Sequence, residues 1–156
     1  HPLSILDWGG DTGKNTPFKD KNIKFDIFDI SNINVVPGAK IVNKTEAQAS
    51  KYKLVVCSNV LEHVPYPADL LRDISLAMDL NSVLYIEVPQ ENVVLENKTD
   101  LHLHKKHWHE HINFFTPNSL HALMENTGFQ VIDFNELEVF SDGKLAHLFQ
   151  MACKLK

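Results

Sequence analysis

The stretch LSILDWGGDTG, Leu3 to Gly13, decides how this chain of 156 residues folds. Leu3, Ile5 and Leu6 form an apolar run that stops at Asp7, and a turn holding Gly9, Gly10 and Gly13 follows at once. A buried strand that ends in an acid and a glycine-rich turn is how a parallel α/β sheet offers backbone N–H groups to a ligand. A second apolar run, Ile23 to Ile30, carries Asp29 near its end. An acid about 20 residues past the first strand is where such a sheet sets a carboxylate on a ribose diol. A dinucleotide loop G-x-G-x-x-G counted from Gly9 requires glycine at positions 11 and 14, where Asp11 and Lys14 stand.

The remaining elements follow from periodicity and punctuation. Residues 14–22, KNTPFKDKN, are polar and carry Pro17, which leaves room for a short helix only. Lys40 to Val42 reads as a short strand near an edge, and Thr45 to Ser50 as a helical turn. Leu54 to Ser58 is a continuous apolar run that suits a central parallel strand buried on both faces. Pro67 opens a helix whose apolar residues Leu70, Leu71, Ile74, Ala77 and Met78 recur at helical spacing. Val83 to Val88 is a fifth strand, and the polar stretch 90–106 is long enough for a functional loop or lid. Thr116-Pro117 starts a helix that Gly128 ends. Phe129 to Val139 and Ala146 to Leu155, joined through SDGK, read as a closing antiparallel hairpin.

The loop from Asp7 to Gly13 resembles the G-x-G-x-G loop of class I S-adenosylmethionine (SAM) dependent methyltransferases, with Asp11 in place of the middle glycine. The segments YKLVVCSNVLEHVPYPADLLRDI from Tyr52, SVLYIEVPQE from Ser82 and HEHINFFTPNSLHALMENTGFQVID from His109 are similar, in that order, to later motifs of the group that includes ubiquinone-type and sugar-type methyltransferases. The likeness runs from Ile5 to the last strand. It implies one α/β domain over residues 1–156: a three-layer Rossmann-like methyltransferase sandwich, with a mostly parallel sheet ending in an antiparallel hairpin. It also implies SAM as cofactor and methyl transfer to a small-molecule acceptor, the hydroxyl or carbon of a sugar, nucleotide sugar or quinone precursor. The second reading is a catalytically weak or inactive domain that keeps the fold and binds SAM.

SAM needs backbone donors for its carboxylate, an acid for its ribose hydroxyls and a flat apolar slot for adenine. On the resemblance, Asp7, Gly9, Gly10, Gly13, Asp29, Ile30, Ser58 and Asn59 form the cofactor site, with Asp29 on the ribose and Ile30 along the adenine. The plainer alternative is that Asp7 and Asp29 cap strand-to-loop turns, and that Asp11 repels the ligand carboxylate or points to solvent. Methyl transfer displaces a neutral thioether, so the protein mainly positions and desolvates the nucleophile. A hydroxyl acceptor benefits from a base; His63 is the first candidate, with Glu62 and His111 beside it in the expected catalytic set.

Five histidines crowd LHLHKKHWHEH: His102, His104, His107, His109 and His111. Such spacings suit a metal, an acceptor-side wall or a solvated loop, and no metal is assigned. Small-RNA terminal 2′-O-methyltransferases bind a divalent metal through E-x-x-E-H and a later histidine. Glu62-His63 match that block, but Asn59 occupies its first glutamate position.

The net charge of −5 argues against a broad nucleic-acid footprint. No apolar run approaches the roughly 20 residues that span a bilayer, and no leader precedes the first strand, so a cytoplasmic setting with buried thiols at Cys57 and Cys153 is the expectation. Methyltransferases of this class carry helices ahead of the first strand that help close the SAM site. Here the chain is expected to be either a fragment lacking that N-terminal segment or an unusually minimal domain, with a partner subunit, a homodimer being one form, as another source of cover.

Overall fold

The computed structural model describes residues 3–19, 25–31, 33–90, 111–141 and 144–156. Seven strands form one sheet: β1 (Ile5–Trp8), β2 (Phe25–Phe28), β3 (Ala39–Ile41), β4 (Leu54–Ser58), β5 (Val83–Pro89), β6 (Phe129–Ser141) and β7 (Lys144–Leu155). Their order is β3-β2-β1-β4-β5-β7-β6. The first five run parallel, and β7 is antiparallel to both β5 and β6. The chain therefore starts in the middle of its sheet and winds outward in both directions. The order reverses between β1 and β4, the switch point at which open α/β sheets bind ligands beyond the carboxyl ends of their strands.

Strand β1 is buried at all four positions, as a central parallel strand requires. Alternate residues then divide between two faces. Leu6, Trp8, Val55, Cys57, Leu84, Ile86, Phe149 and Met151 belong to the larger core. Ala47 of α1 (Lys44–Ala49), Leu71 and Ile74 of α2 (Pro67–Ser75), and Leu120 and Met124 of α3 (Pro117–Asn126) pack into the same core. All three described helices thus cover one face. On the other face Ile5, Phe25, Ile27 and Val56 pack against Val35, Val36, Ala39 and Tyr85, so the described cover there is loop and strand.

Helices α1 and α3 begin where a polar side chain caps them, whereas α2 has no side-chain cap and starts on Pro67. The Asn43 side chain accepts from the Glu46 N–H while Glu46 answers to the Asn43 N–H, which starts α1 one residue ahead of the expected turn. Thr116 and Ser119 form the equivalent box on α3, with Pro117 in its first turn. Helix α2 stops at Ser75, earlier than the apolar spacing predicts; Ala77 and Met78 stay buried in the turn that follows. Gly128 ends α3 at φ +90°, a conformation that suits a residue without Cβ. Residues 9–19 form turns, and the outer residues expected for β2, Ile23 and Lys24, lie outside the described residues. So does most of the expected loop at 90–106. No described helix is long and apolar enough to cross a membrane.

Candidate functional site

The turn after β1 is folded tightly onto its neighbours. Gly9 sits at φ +84° and donates its N–H to the Phe28 carbonyl at 2.7 Å. A Cβ there would stand 2.5 Å from Val60 Cγ2, and one on Gly13, at φ +74°, 2.5 Å from Ile27 Cδ1. Gly10 lies against the Asp7 carboxylate in the same way. The protein's own packing therefore explains these glycines, and they alone do not argue for a ligand. Asp7 is buried and takes a hydrogen bond from the Thr16 hydroxyl at 2.5 Å, which ties the far end of the turn to the strand. Burial raises its carboxyl above the usual range; the Thr16 bond pulls it down, Asp29 pushes it up, and Lys19 opposes that push.

Asp29 stands just past β2 and reaches back over the turn. Its Oδ2 accepts the N–H of Asp11 at 2.9 Å, and its Oδ1 that of Ser31 at 2.7 Å. Partial burial works to raise its pKa, but the Ser31 and Asp11 hydrogen bonds outweigh that and hold it below the usual carboxylate range. Asp29 is thus an anion at neutral pH, and each oxygen keeps a second lone pair for a hydroxyl donor. Asp11 occupies the left-handed region at φ 50°, a conformation uncommon outside glycine but better tolerated by aspartate than by most residues. Its backbone N–H serves the fold, and the residue lines the polar cavity.

Two cavities meet above this turn. One, of about 300 Å³, is walled by Trp8, Phe28, Val60 and Leu70, with Asp29 and His63 also lining it. Ile30 contributes to its wall yet is 94% exposed, so a flat apolar group laid there would cover it. The other, of about 220 Å³, is polar and lined by Asp7, Asp11, Asn15, Thr16 and Ser58 among others. Gly9 and Asn59 belong to both. One elongated ligand with an apolar end, a diol at its waist and a charged end would fit across the Gly9–Asn59 saddle.

Behind Ser58 and Asn59 stands a carboxylate that the sequence reading did not single out. Glu87, on β5, accepts from the Ser58 hydroxyl at 3.1 Å, the Tyr85 hydroxyl at 2.7 Å and the Gln150 amide at 2.9 Å. The Asn59 amide donates to Ser58 Oγ at 3.0 Å and reaches Glu87 at 3.5 Å. Burial, then the hydrogen bond and charge of Glu87, push the Tyr85 hydroxyl well above its normal range. The acid in IEVPQE was visible, but besides Tyr85 on its own strand its partners come from two other places in the chain, the end of β4 and Gln150 on β7.

The acceptor-side candidates converge at the mouth. His63 Nε2 lies 3.8 Å from Glu62 Oε1, and the His63 and His111 rings meet edge-on with centroids 4.7 Å apart. Glu62 is buried, while His63 is 40% exposed at its side chain. Forty-eight residues separate His63 from His111, and Asn113 closes that gap. Its amide donates to the carbonyls of Leu61 at 2.9 Å and Val64 at 2.6 Å, and the N–H groups of Ile112 and Asn113 both donate to the Glu62 carbonyl. His102, His104, His107 and His109 lie outside the described residues.

A family model described as a methyltransferase domain matches residues 1–133. Among solved structures, a SAM-dependent methyltransferase of Anabaena variabilis superposes with a TM-score of 0.72 at 12% identity, over 99% of this chain and 77% of that one. The 1,6-didemethyltoxoflavin N1-methyltransferase of Burkholderia thailandensis, solved with 1,6-didemethyltoxoflavin and S-adenosylhomocysteine bound, gives 0.69 at 16% identity over 100% and 72%. A Haloferax volcanii chain described as a methyltransferase, in complex with the Trm112 methyltransferase activator, gives 0.66 at 12% over 99% and 82%. At these identities the likeness is one of fold. A search of curated proteins found no match.

Proposed function

Because this chain belongs to the methyltransferase-domain family, we propose that it moves the methyl group of SAM onto a small-molecule acceptor, the hydroxyl or carbon of a sugar, nucleotide sugar or quinone precursor. The observation that carries this reading is the Asp29 carboxylate, held ionised by two backbone N–H groups in the apolar cavity that meets a polar one at Gly9 and Asn59.

The residues present suit such a cofactor. Asp29 would take the ribose hydroxyls, Ile30, Phe28 and Val60 would face the adenine, and the polar cavity by Asp7, Asp11, Ser58 and Asn59 would take the amino-acid end. Bound SAM supplies an electrophilic methyl on a sulfonium whose leaving group is a neutral thioether. What remains for the chain is to hold an acceptor in line, exclude water and receive a proton. Trp8 and Phe28, whose ring centroids lie 4.5 Å apart, give the apolar cavity a stiff floor. His63 stands at its rim as the group that takes the proton of an acceptor hydroxyl, with Glu62 and His111 orienting it.

One feature favours the second reading, a domain that binds SAM but turns it over weakly. Asp11 puts an extra negative charge on the polar cavity where the ligand carboxylate would lie. Titration calorimetry with S-adenosylhomocysteine tests both. Binding by the unaltered chain is expected, and Asp11→Gly should tighten it about 3- to 10-fold, the effect of one like-charge contact at a partly solvated site. No binding by either form, beside a control methyltransferase that binds, overturns the cofactor reading. Tight binding with no acceptor in a broad screen moves the reading to the second.

A further inference from the structure

Donors that line the polar cavity are engaged within the protein itself. A glycine-rich turn commonly offers its N–H groups to an anion. Here the Gly9 N–H goes to the Phe28 carbonyl, the Asp11 N–H to the Asp29 carboxylate and the Thr16 hydroxyl to Asp7. We propose that this cavity recognises the ammonium of the ligand's amino-acid end rather than its carboxylate, and that Glu87 is the positioning residue that gives the cavity this polarity. The inference rests on the cofactor reading above and narrows it: the ligand class is an adenosine carrying a cationic tail.

Glu87 works from behind the cavity wall. Its Oε1 accepts from the Ser58 hydroxyl and the Asn59 amide, and its Oε2 from the Tyr85 hydroxyl and the Gln150 amide, so the carboxylate is filled without a ligand. A serine hydroxyl has one hydrogen and two lone pairs. That of Ser58 gives its hydrogen to Glu87 and accepts one from Asn59, which leaves it a lone pair. Asn59 gives its amide hydrogens to Ser58 and Glu87 and its backbone N–H to the Glu87 carbonyl at 2.8 Å, which leaves it the amide oxygen. The last of these bonds helps hold Asn59 at φ 54°, a left-handed conformation that asparagine tolerates better than most residues. Both residues line the polar cavity, so what they offer a ligand there is acceptors.

Charge acts in the same direction. Asp7 and Asp11 line the cavity, and Glu87 stands behind its wall. Lys19, the cation that acts on Asp7, has its Nζ on the carbonyls of Gly13 and Lys14. Burial and the charge of Asp29 both raise the Asp7 carboxyl. A ligand ammonium would relieve that strain on the ionised form, whereas a ligand carboxylate would add to it. Hydrogen-bond direction and charge thus agree on which end of a zwitterion the cavity holds.

The test is titration calorimetry with S-adenosylhomocysteine and two truncated thioethers of adenosine. The aminopropyl thioether lacks the carboxyl, and the carboxypropyl thioether lacks the amine. The amine analogue should bind at least as tightly as S-adenosylhomocysteine. The acid analogue should bind at least about 30-fold more weakly than the amine analogue, the effect of losing charge-assisted hydrogen bonds. In Glu87→Gln the new amide brings hydrogens of its own, which frees those of Ser58 and Asn59 for the cavity. The acid analogue should then bind about 10-fold more tightly, a gain that loss of folding does not produce. Asp11→Asn, at an exposed position outside the sheet, should narrow the gap between the analogues by about 3- to 10-fold. Equal affinity for the two analogues overturns the inference, while S-adenosylhomocysteine that still binds keeps the cofactor reading. A preference for the amine that Glu87→Gln leaves at full size overturns the part given to Glu87. No binding of any of the three, beside a control methyltransferase that binds, overturns both readings.

Discussion

Asp29→Ala is expected to lower the affinity for S-adenosylhomocysteine about 100-fold by titration calorimetry, with cooperative unfolding preserved. A carboxylate that accepts two ribose hydroxyls makes two charge-assisted hydrogen bonds, each worth about 1.5–3 kcal/mol. Even the low end gives about 3 kcal/mol, or about two decades in the dissociation constant. The substitution also strips the Asp11 and Ser31 N–H groups of their acceptor. Both bonds are exposed, so water replaces them, and the loss of fold stability should stay within about 1 kcal/mol. Asp29→Asn keeps the shape and one acceptor oxygen, and should lose about 10-fold. If Asp29→Ala bound the nucleoside as well as the unaltered chain, Asp29 would be only a turn cap.

The same residue fixes a pH dependence. Its folded-state pKa is lowered, so its contribution to stability is present above the unfolded value near 4 and fades as pH falls through the folded value. Between pH 5 and pH 9 Asp29 stays ionised, and it should give nucleoside affinity no slope there. Asp7 runs the other way. Burial raises its pKa, so its ionisation costs stability as pH rises from the unfolded value through the folded one. The two effects are separable by unfolding Asp29→Asn and Asp7→Asn across the acid range.

Where a residue's role follows from near neighbours in the chain, the sequence disclosed it. The apolar run that stops at Asp7, the valine-rich β4 and the Thr116-Pro117 helix start are local signals, and the structure places β1, β4 and α3 on them. The antiparallel hairpin was legible because SDGK interrupts two alternating runs; β6 and β7 prove longer, at 13 and 12 residues, with a register shift between Val131 and Asp133. The end of α2 was misjudged because Ala77 and Met78 continue a helical spacing while the backbone has already turned, so burial alone imitated periodicity. The Asn43 cap was missed although Glu46 stands three residues on, the one local signal that was available and unread.

What stayed hidden depends on distance along the chain. Glu87 receives donors 29 and 63 residues away, and nothing next to it in sequence marks it as a junction. Tyr52 donates to Asp26, 26 residues earlier, and binds the first half of the sheet to the second. Asn113 reads as one polar residue in INFF, yet both hydrogens of its amide are spoken for about 50 residues upstream. Side chains of this kind are set by which strands become neighbours, and that is known only once the sheet order is known.

Asn113→Ala should therefore cost more than its half-exposed position suggests: about 2–3 kcal/mol in denaturant unfolding, with the slope unchanged. Two bonds to carbonyls at 2.9 and 2.6 Å are lost, each worth about 1 kcal/mol net, and the Leu61 and Val64 oxygens lie where water reaches them poorly. The backbone bonds from residues 112 and 113 to Glu62 remain, so the segment should loosen without detaching. His111 loses its fixed place beside His63, whereas Asp29 and Gly9 do not depend on this clamp. Nucleoside affinity should hold within about 2-fold. Asn113→Asp sharpens the test, because an ionised carboxylate would face two carbonyl oxygens. It should destabilise more than alanine at neutral pH and recover as pH falls and the acid becomes a donor. Equal losses for the two variants at every pH would mean that the amide fills space rather than holding the two segments together.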